Sequence, residues 1–224
     1  PFNVVFMGCG RLGVADPPRA AAARFCLVIA GRTPGAAAAA TAGVPGAFAA
    51  DIRVVLERAS LVVLAVPLGA ARRVLTETSV PGRGRPLLDV TNPALGGEEV
   101  PPDSSGAHLI AAVAPGWHVI KALNTVPAVM VGEPLCGGLP VSLPLAGDDA
   151  GAKAITGALL SRLGFVPLDV GGLEHARELE SLAMLLQAVN QRHGVHGRIG
   201  LHICGPDGPV PSLHTPAAPG VRLP

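Results

Sequence analysis

The chain has 224 residues, a formal net charge of +1 and 49% hydrophobic residues. That length fits one domain with a small lobe and can bury a sizeable core. The near-neutral charge argues against nucleic acid as the main partner. No apolar run reaches the ~18 residues that a membrane span needs. The longest, Leu61 to Ala71, is interrupted by Pro67 and Gly69.

The first predicted element is a strand over Val4 to Met7, which leads directly into Gly8-x-Gly10-x-x-Gly13. A strand followed by this spacing is the glycine fingerprint of a dinucleotide fold. Gly8 makes the tight turn, Gly10 lets a pyrophosphate approach the backbone, and Gly13 lets the next helix pack closely on the sheet. The amide-rich end of that helix offsets the phosphate charge. Asp16-Pro17-Pro18 then falls where the helix should continue, so a break is expected there, with regular helix restarting near Pro17. The second strand, Cys26 to Ala30, ends in Gly31-Arg32-Thr33. An acid at this tip would hold the ribose hydroxyl of NAD. Arg32 stands there instead, and a guanidinium fork matches a 2′-phosphate, so NADP is favoured over NAD.

Further along, Asp51 to Ala59 reads as a helix with Asp51 as N-cap, and Leu61 to Val66 as a buried strand ended by Pro67. Leu68 to Leu75 reads as a helix. Pro86 to Val90 is a strand running into Thr91-Asn92-Pro93, and His118 to Leu123 is another running into Asn124-Thr125. Strands buried on both faces and separated by helices imply a parallel sheet with helices on each side. The fold class expected is therefore α/β, a Rossmann-like doubly wound parallel sheet over residues 1–138, with a small C-terminal α/β lobe over 139–204 packed on it.

In that lobe Val141 to Ala146 reads as a strand. An Asp at 148 or 149 caps a helix through Leu163, and Phe165 to Val170 is a short strand. Leu173 to Asn190 is the clearest helix, with Leu179, Leu182, Leu186 and Val189 on one face. Glu174, Glu178 and Glu180 near its start read as surface groups favoured by the helix dipole. Residues 205–224 are rich in Pro and Gly, and a disordered tail is expected. His193, His196, His202 and Cys204 lie among glycines and read as a polar loop, so no metal site is assigned. Cys9, Cys26, Cys136 and Cys204 form no CxxC pair, which fits a reducing cytoplasm.

Together these segments resemble the deazaflavin (coenzyme F-420)-dependent NADP oxidoreductases, whose fold also forms the cytosolic domain of six-transmembrane metalloreductases. The resemblance covers roughly residues 2 to 192. It is carried by GCGRLG at 8–13, GRT at 31–33, LAVP at 64–67, DVTNP at 89–93, VIKALNTV at 119–126, LAGDDAGAK at 145–153 and LGFVPLDVGGLEHARELE at 163–180. It implies that Gly8, Gly10, Arg11, Leu12 and Gly13 hold the pyrophosphate and that Arg32 and Thr33 hold the 2′-phosphate. Ala65, Val66 and Pro67 would pass under the nicotinamide ribose. Asn92, Leu123 and Asn124 would border the nicotinamide.

The activity implied is hydride transfer between NADPH and a deazaflavin or flavin (FMN or FAD) acceptor. Such a step needs stacked rings and no side-chain nucleophile. Asn124 is the one candidate named for orienting the carboxamide or the acceptor. Two alternatives stand beside this reading. One is a soluble metalloreductase-like reductase that passes electrons through a flavin to ferric or cupric ions. The other is an NADP(H)-binding sensor or inactive paralogue. The partner expected is a small-molecule redox acceptor, and the resemblance also implies a homodimer.

Overall fold

The aliphatic runs become parallel strands, and the Pro and Gly clusters fall between elements. The computed structural model describes residues 3–7, 26–30, 48–49, 52–206 and 208–210. In chain order the first part holds β1 (Asn3–Met7), β2 (Cys26–Ala30), β3 (Phe48–Ala49), α1 (Ile52–Arg58) and β4 (Leu61–Leu64). It continues with α2 (Leu68–Thr78), β5 (Arg85–Asp89), α3 (Gly106–Ala111) and β6 (Trp117–Lys121). The six strands form one sheet in the order β3-β2-β1-β4-β5-β6, and every pair is parallel. This is the strand order of the doubly wound dinucleotide fold. The strand predicted over Leu61 to Val66 stops at Leu64, and the helix predicted over Leu68 to Leu75 runs on to Thr78. Asp51 lies outside the described residues.

Alternation along each strand sorts the core into two layers. Val62 and Leu64 of β4 point to one face with Val5, Leu87 and Val119, where Leu56, Ala71, Leu75 and Ile110 of α1, α2 and α3 cover them. Leu61 and Val63 point to the other face with Val4, Leu88 and Ile120. Each fully buried Leu or Val contributes about 1.5–3 kcal/mol relative to exposure, so an aliphatic core serves despite an aromatic content of 3%.

The second part begins with a hairpin, β7 (Leu135–Cys136) and β8 (Leu139–Pro140). A βαβ unit follows: β9 (Ser142–Leu145), α4 (Ala150–Arg162) and β10 (Val166–Asp169), with β9 and β10 parallel. A 3-10 turn at Leu173–His175 then leads into α5 (Ala176–His193). Ala152, Leu159 and Leu160 of α4 cover the second face of the large sheet. An antiparallel bridge joins Lys121 at the end of β6 to Ala146, with Lys121 N donating to Ala146 O at 2.8 Å and Ala146 N to Lys121 O at 3.0 Å. Gly147 permits this approach. A Cβ there would stand 2.4 Å from Ile120 Cδ1 and 3.1 Å from Val119 O.

The acids of the AGDD segment lock the turns around that contact. Asp149 is the N-cap of α4, its Oδ1 accepting from Ala152 N at 2.7 Å. Asp148 Oδ1 accepts from Leu173 N at 2.7 Å. Lys153 Nζ donates to Asp169 Oδ1 at 2.8 Å.

Two expectations for α5 change. Its buried residues are Ala176, Leu179, Ala183 and Leu186, while Leu182 is half-buried and Val189 is exposed. Glu180 is not a surface group: its side chain is 13% exposed and turned onto the sheet. Within the stretch expected to be irregular from Gly205, β11 (Cys204–Gly205) pairs with β12 (Gly208–Pro209), and residues 211–224 lie outside the described set. No group of three or more His, Cys, Asp or Glu side chains gathers as metal ligands among the described residues. No helix among them is long and apolar enough to cross a membrane.

Candidate functional site

In an open α/β sheet, ligands bind beyond the carboxyl ends of the strands, near the point where strand order reverses. Here that point lies between β1 and β4. Met7 closes β1 beside Ala30 of β2 on one side and Leu64 of β4 on the other. Ala65 N donates to Met7 O at 2.9 Å and carries the register one step beyond β4. The Ala65–Pro67 segment then turns into α2, whose first amides have no cap from Pro67. Glu98 caps them instead from the loop after β5. Its Oε2 accepts from Leu68 N at 2.8 Å and its Oε1 from Gly69 N at 2.6 Å. The β5 loop is thereby folded over the end of β4.

The chain leaves β5 and β6 through two asparagines that meet. Asn92 Nδ2 donates to Asn124 O at 2.6 Å, and Asn124 Nδ2 donates to Asn92 Oδ1 at 3.1 Å and to Leu179 O of α5 at 2.9 Å. Leu123 takes φ 60, a left-handed backbone that costs a non-glycine residue about 1–3 kcal/mol, and this turn aims Asn124 at its partners. Both hydrogens of the Asn124 amide are therefore engaged. Its Oδ1 is buried without a hydrogen-bond partner. Asn124, expected to orient a ligand, is thus free to act only as an acceptor, whereas half-buried Asn92 lines the adjacent pocket.

Beneath the pair sits a node of charge that sequence reasoning missed. Lys121, the last residue of β6, is fully buried. Its Nζ donates to Asp89 Oδ2 at 2.9 Å and to Thr91 O at 2.6 Å. Glu180 Oε1 stands 2.9 Å from the same nitrogen, outside hydrogen-bond angles, so this contact is coulombic. Asp89 Oδ1 accepts from Thr91 N at 2.9 Å, and Glu180 Oε2 accepts from Gly106 N at 3.2 Å. A Cβ on Gly106 would lie 2.6 Å from Pro93 Cγ and 3.1 Å from Glu180 Oε1, so a bare backbone makes room for the carboxylate. A signal for this node was present in the sequence. Lys121 and Asp89 are opposite charges closing two adjacent aliphatic runs, and the register pairs them.

A pocket of ≈ 200 Å³ opens beside these groups, lined by Asn92 and Glu98 from the β5 loop and by Arg177, Glu180, Ser181 and Met184 from α5. Its volume is near that of a cavity which takes one aromatic ring. The structure therefore brings Ala65, Val66, Pro67, Asn92, Leu123 and Asn124 to one end of the sheet. Gly8, Gly10, Arg11, Leu12, Gly13, Arg32 and Thr33 lie outside the described residues. Gly8 follows the end of β1, and Gly31-Arg32 follows the end of β2.

The strand order defines a doubly wound dinucleotide-type α/β fold, and known proteins share that fold. No family model matches the chain. Over 104 residues, 46% of its length, it is 34% identical to Metalloreductase STEAP3 of Rattus norvegicus, and it spans 21% of that protein. Among solved structures it superposes on a proposed F-420-dependent NADP reductase of Arthrobacter sp. FB24 with a TM-score of 0.80 and 24% identity, covering 92% of this chain and 100% of that one. An imine reductase of Myxococcus stipitatus, solved in complex with NADP+, matches with a TM-score of 0.61 and 21% identity, over 88% of this chain and 64% of that one. The structural matches show the fold. The chain resembles the deazaflavin-dependent NADP oxidoreductases and the metalloreductases, as its motifs indicated.

Proposed function

We propose that the chain binds NADP(H) through residues 1–138 and passes a hydride from NADPH to a deazaflavin or flavin held against α5 of the 139–204 lobe. The observation that carries this reading is the asparagine pair, which joins the carboxyl ends of β5 and β6 and whose Asn92 lines a pocket shared with α5. Two further observations support an NADP-dependent reductase: the names of the fold neighbours and the likeness to a metalloreductase.

NADPH, when bound, supplies the hydride. The residues present fit it. An amide-bearing ring needs a hydrogen-bond acceptor, and Asn124 Oδ1 is a buried acceptor with none of its capacity used. Gly8, Gly10, Arg11, Leu12 and Gly13 would carry the pyrophosphate, and Arg32 and Thr33 the 2′-phosphate. Ala65, Val66 and Pro67 would support the ribose, and Asn92, Leu123 and Asn124 the nicotinamide. The chain's work is then orientation and exclusion of water. Asn124 spends its donors on Asn92 and α5, which holds Asn92 at the pocket edge.

A second reading rests on the likeness to Metalloreductase STEAP3. In it, the same site reduces a flavin that passes electrons on to ferric ions. One steady-state assay separates the readings: NADPH with 8-hydroxy-5-deazariboflavin, riboflavin, FMN, FAD and a ferric chelate, with and without flavin. Turnover of the deazaflavin or of a flavin alone is expected. Turnover only when ferric chelate and flavin are both present favours the second reading. Binding of NADPH with no turnover overturns both and leaves a nucleotide-binding sensor.

A further inference from the structure

We propose that Lys121 is a positioning residue for the acceptor: acting through Glu180, it fixes the wall that α5 gives to the pocket, and so sets acceptor binding and turnover without serving nucleotide affinity. This rests on the functional reading above.

Four α5 residues line the pocket, Arg177, Glu180, Ser181 and Met184. Their spacing of three, four and seven places them on one helix face. Glu180 is the member of that face tied to the sheet, by its 2.9 Å contact with Lys121. The same turn of α5 is tied a second time, through Leu179 O and Asn124. A rotation or slide of α5 would therefore move the whole wall relative to Asn92.

A purely structural role explains the node poorly. A buried ion pair is often replaceable by apolar residues at no loss of stability. Here a fully buried ammonium is shared by two carboxyl groups, one on β5 and one on α5, each 2.9 Å from Lys121 Nζ. The other charged groups near the pocket are Glu98, engaged by the amides of Leu68 and Gly69, and Arg177 on its rim. Neither replaces Lys121 as the counter-charge of Glu180. Hydride transfer is sensitive to this placement, because a misplacement of ~1 Å can cost ~100-fold in rate.

The test compares wild type with Glu180→Gln, Lys121→Met and the double variant. Riboflavin binding is read by quenching of its fluorescence, with and without saturating NADP+. NADPH binding is read by the nucleotide's own fluorescence, and turnover with NADPH and riboflavin is measured alongside. Glu180→Gln should weaken riboflavin by about fivefold or more and lower turnover by about tenfold, while the NADPH Kd stays within about twofold. If Lys121 acts through Glu180, the double variant should match the more affected single variant rather than the product of the two. Equal losses of riboflavin and NADPH, an unchanged riboflavin Kd, or additive effects would overturn the proposal. Should Lys121→Met fail to fold, Glu180→Gln alone decides on the riboflavin-to-NADPH contrast. Wild type that binds riboflavin but no NADPH overturns the functional reading, and the riboflavin ratio still decides on Glu180. If wild type binds no riboflavin, the same titrations are made with 8-hydroxy-5-deazariboflavin, and a wild type that binds neither overturns both.

Discussion

Two rungs of the same strand pair, β5 and β6, end in opposite kinds of polar node. At the amino ends Arg85 stands opposite Trp117, and at the carboxyl ends Asp89 stands opposite Lys121. Arg85 is spent entirely on backbone. Its Nη1 donates to Leu56 O at 2.7 Å and to Ala59 O at 2.8 Å, its Nε to Gly82 O at 2.7 Å, and its Nη2 to Pro81 O at 2.9 Å. The guanidinium also lies 4.4 Å from the Trp117 ring centroid, and Trp117 Nε1 donates to Val80 O at 3.0 Å. Burial, aided by neighbouring Arg83, lowers the Arg85 pKa from its usual value, yet an arginine stays charged. At the other end the node leaves polar oxygens over: Thr91 Oγ1 and Asn124 Oδ1 are buried without a hydrogen-bond partner, while Glu180 Oε1 is held by the Lys121 ammonium. A closed node stabilises the fold. A node that leaves buried polar oxygens over keeps hydrogen-bonding capacity that the fold itself does not use.

This contrast is breakable by mutation at each end. The largest effect is expected at the carboxyl end. Asp89→Ala removes the hydrogen-bonded carboxylate from a fully buried ammonium and the acceptor from Thr91 N. It should cost about 3 kcal/mol or more of stability, as breaking a buried pair does. Riboflavin binding should weaken with it. At the amino end, Arg85→Met removes the cap of α1 and the stack on Trp117, and should cost about 2–3 kcal/mol. It should leave the Kd values of NADPH and riboflavin unchanged. Urea midpoints and ligand titrations on both variants check the pair. An Arg85 variant with weakened binding, or an Asp89 variant with intact stability and binding, would erase the distinction between the two ends.

The sequence showed one of these nodes less clearly than the strands that hold it. β4 was legible because a strand buried on both faces reads as an unbroken aliphatic run, Leu61-Val-Val-Leu64. Asn92 and Asn124 were legible as polar residues at strand ends, where open sheets bind ligands. Lys121 was not, because a charge closing an apolar strand usually reaches solvent. Its burial depends on the register of β6 against β5 and on the turn of α5 that brings Glu180 inward. Glu180 was misread for the same reason: proximity to a helix start fits a dipole-favoured surface group equally well. The burial of Ala176, Leu179 and Ala183 sets the rotation of α5 at which the Glu180 side chain meets Lys121.

The next effect by size belongs to Arg32, just past the carboxyl end of β2. If this end of the sheet carries function, the residue should act on nucleotide choice and not on stability. A guanidinium donates charge-assisted hydrogen bonds to a 2′-phosphate, each worth about 1.5–3 kcal/mol when well formed. NAD offers a hydroxyl there instead. Arg32→Ala should therefore lower the preference for NADPH over NADH by roughly tenfold to hundredfold and leave the urea midpoint unmoved. The wild-type preference should shrink as salt rises, because exposed charges are screened. Fluorescence titration of both nucleotides reads the result. Equal affinity of the wild type for NADPH and NADH, or equal loss of both in the variant, would refute the assignment.

The smallest effect is expected at Pro17 and Pro18, beyond the glycine loop that follows β1. Neither proline has an amide to donate, and each restricts the residue before it, so residues 14 to 18 should not form continuous helix. Asp16 would cap a helix restarting at Pro17, since proline suits the first helical position. The pyrophosphate would then rest on the amides of the Gly8–Gly13 loop, with less help from the helix end. Because those loop amides remain, the loss is partial. Replacing both prolines by Ala should tighten NADPH by about two- to fivefold, under ~1 kcal/mol. NADH should tighten by the same factor, because its pyrophosphate is the same group. That equality separates this pair from Arg32, whose replacement moves one nucleotide and spares the other. A crystal structure with unbroken helix from Leu12 to Ala23 would sink the argument at its first step. An unchanged NADPH Kd in the double variant would sink it at the last.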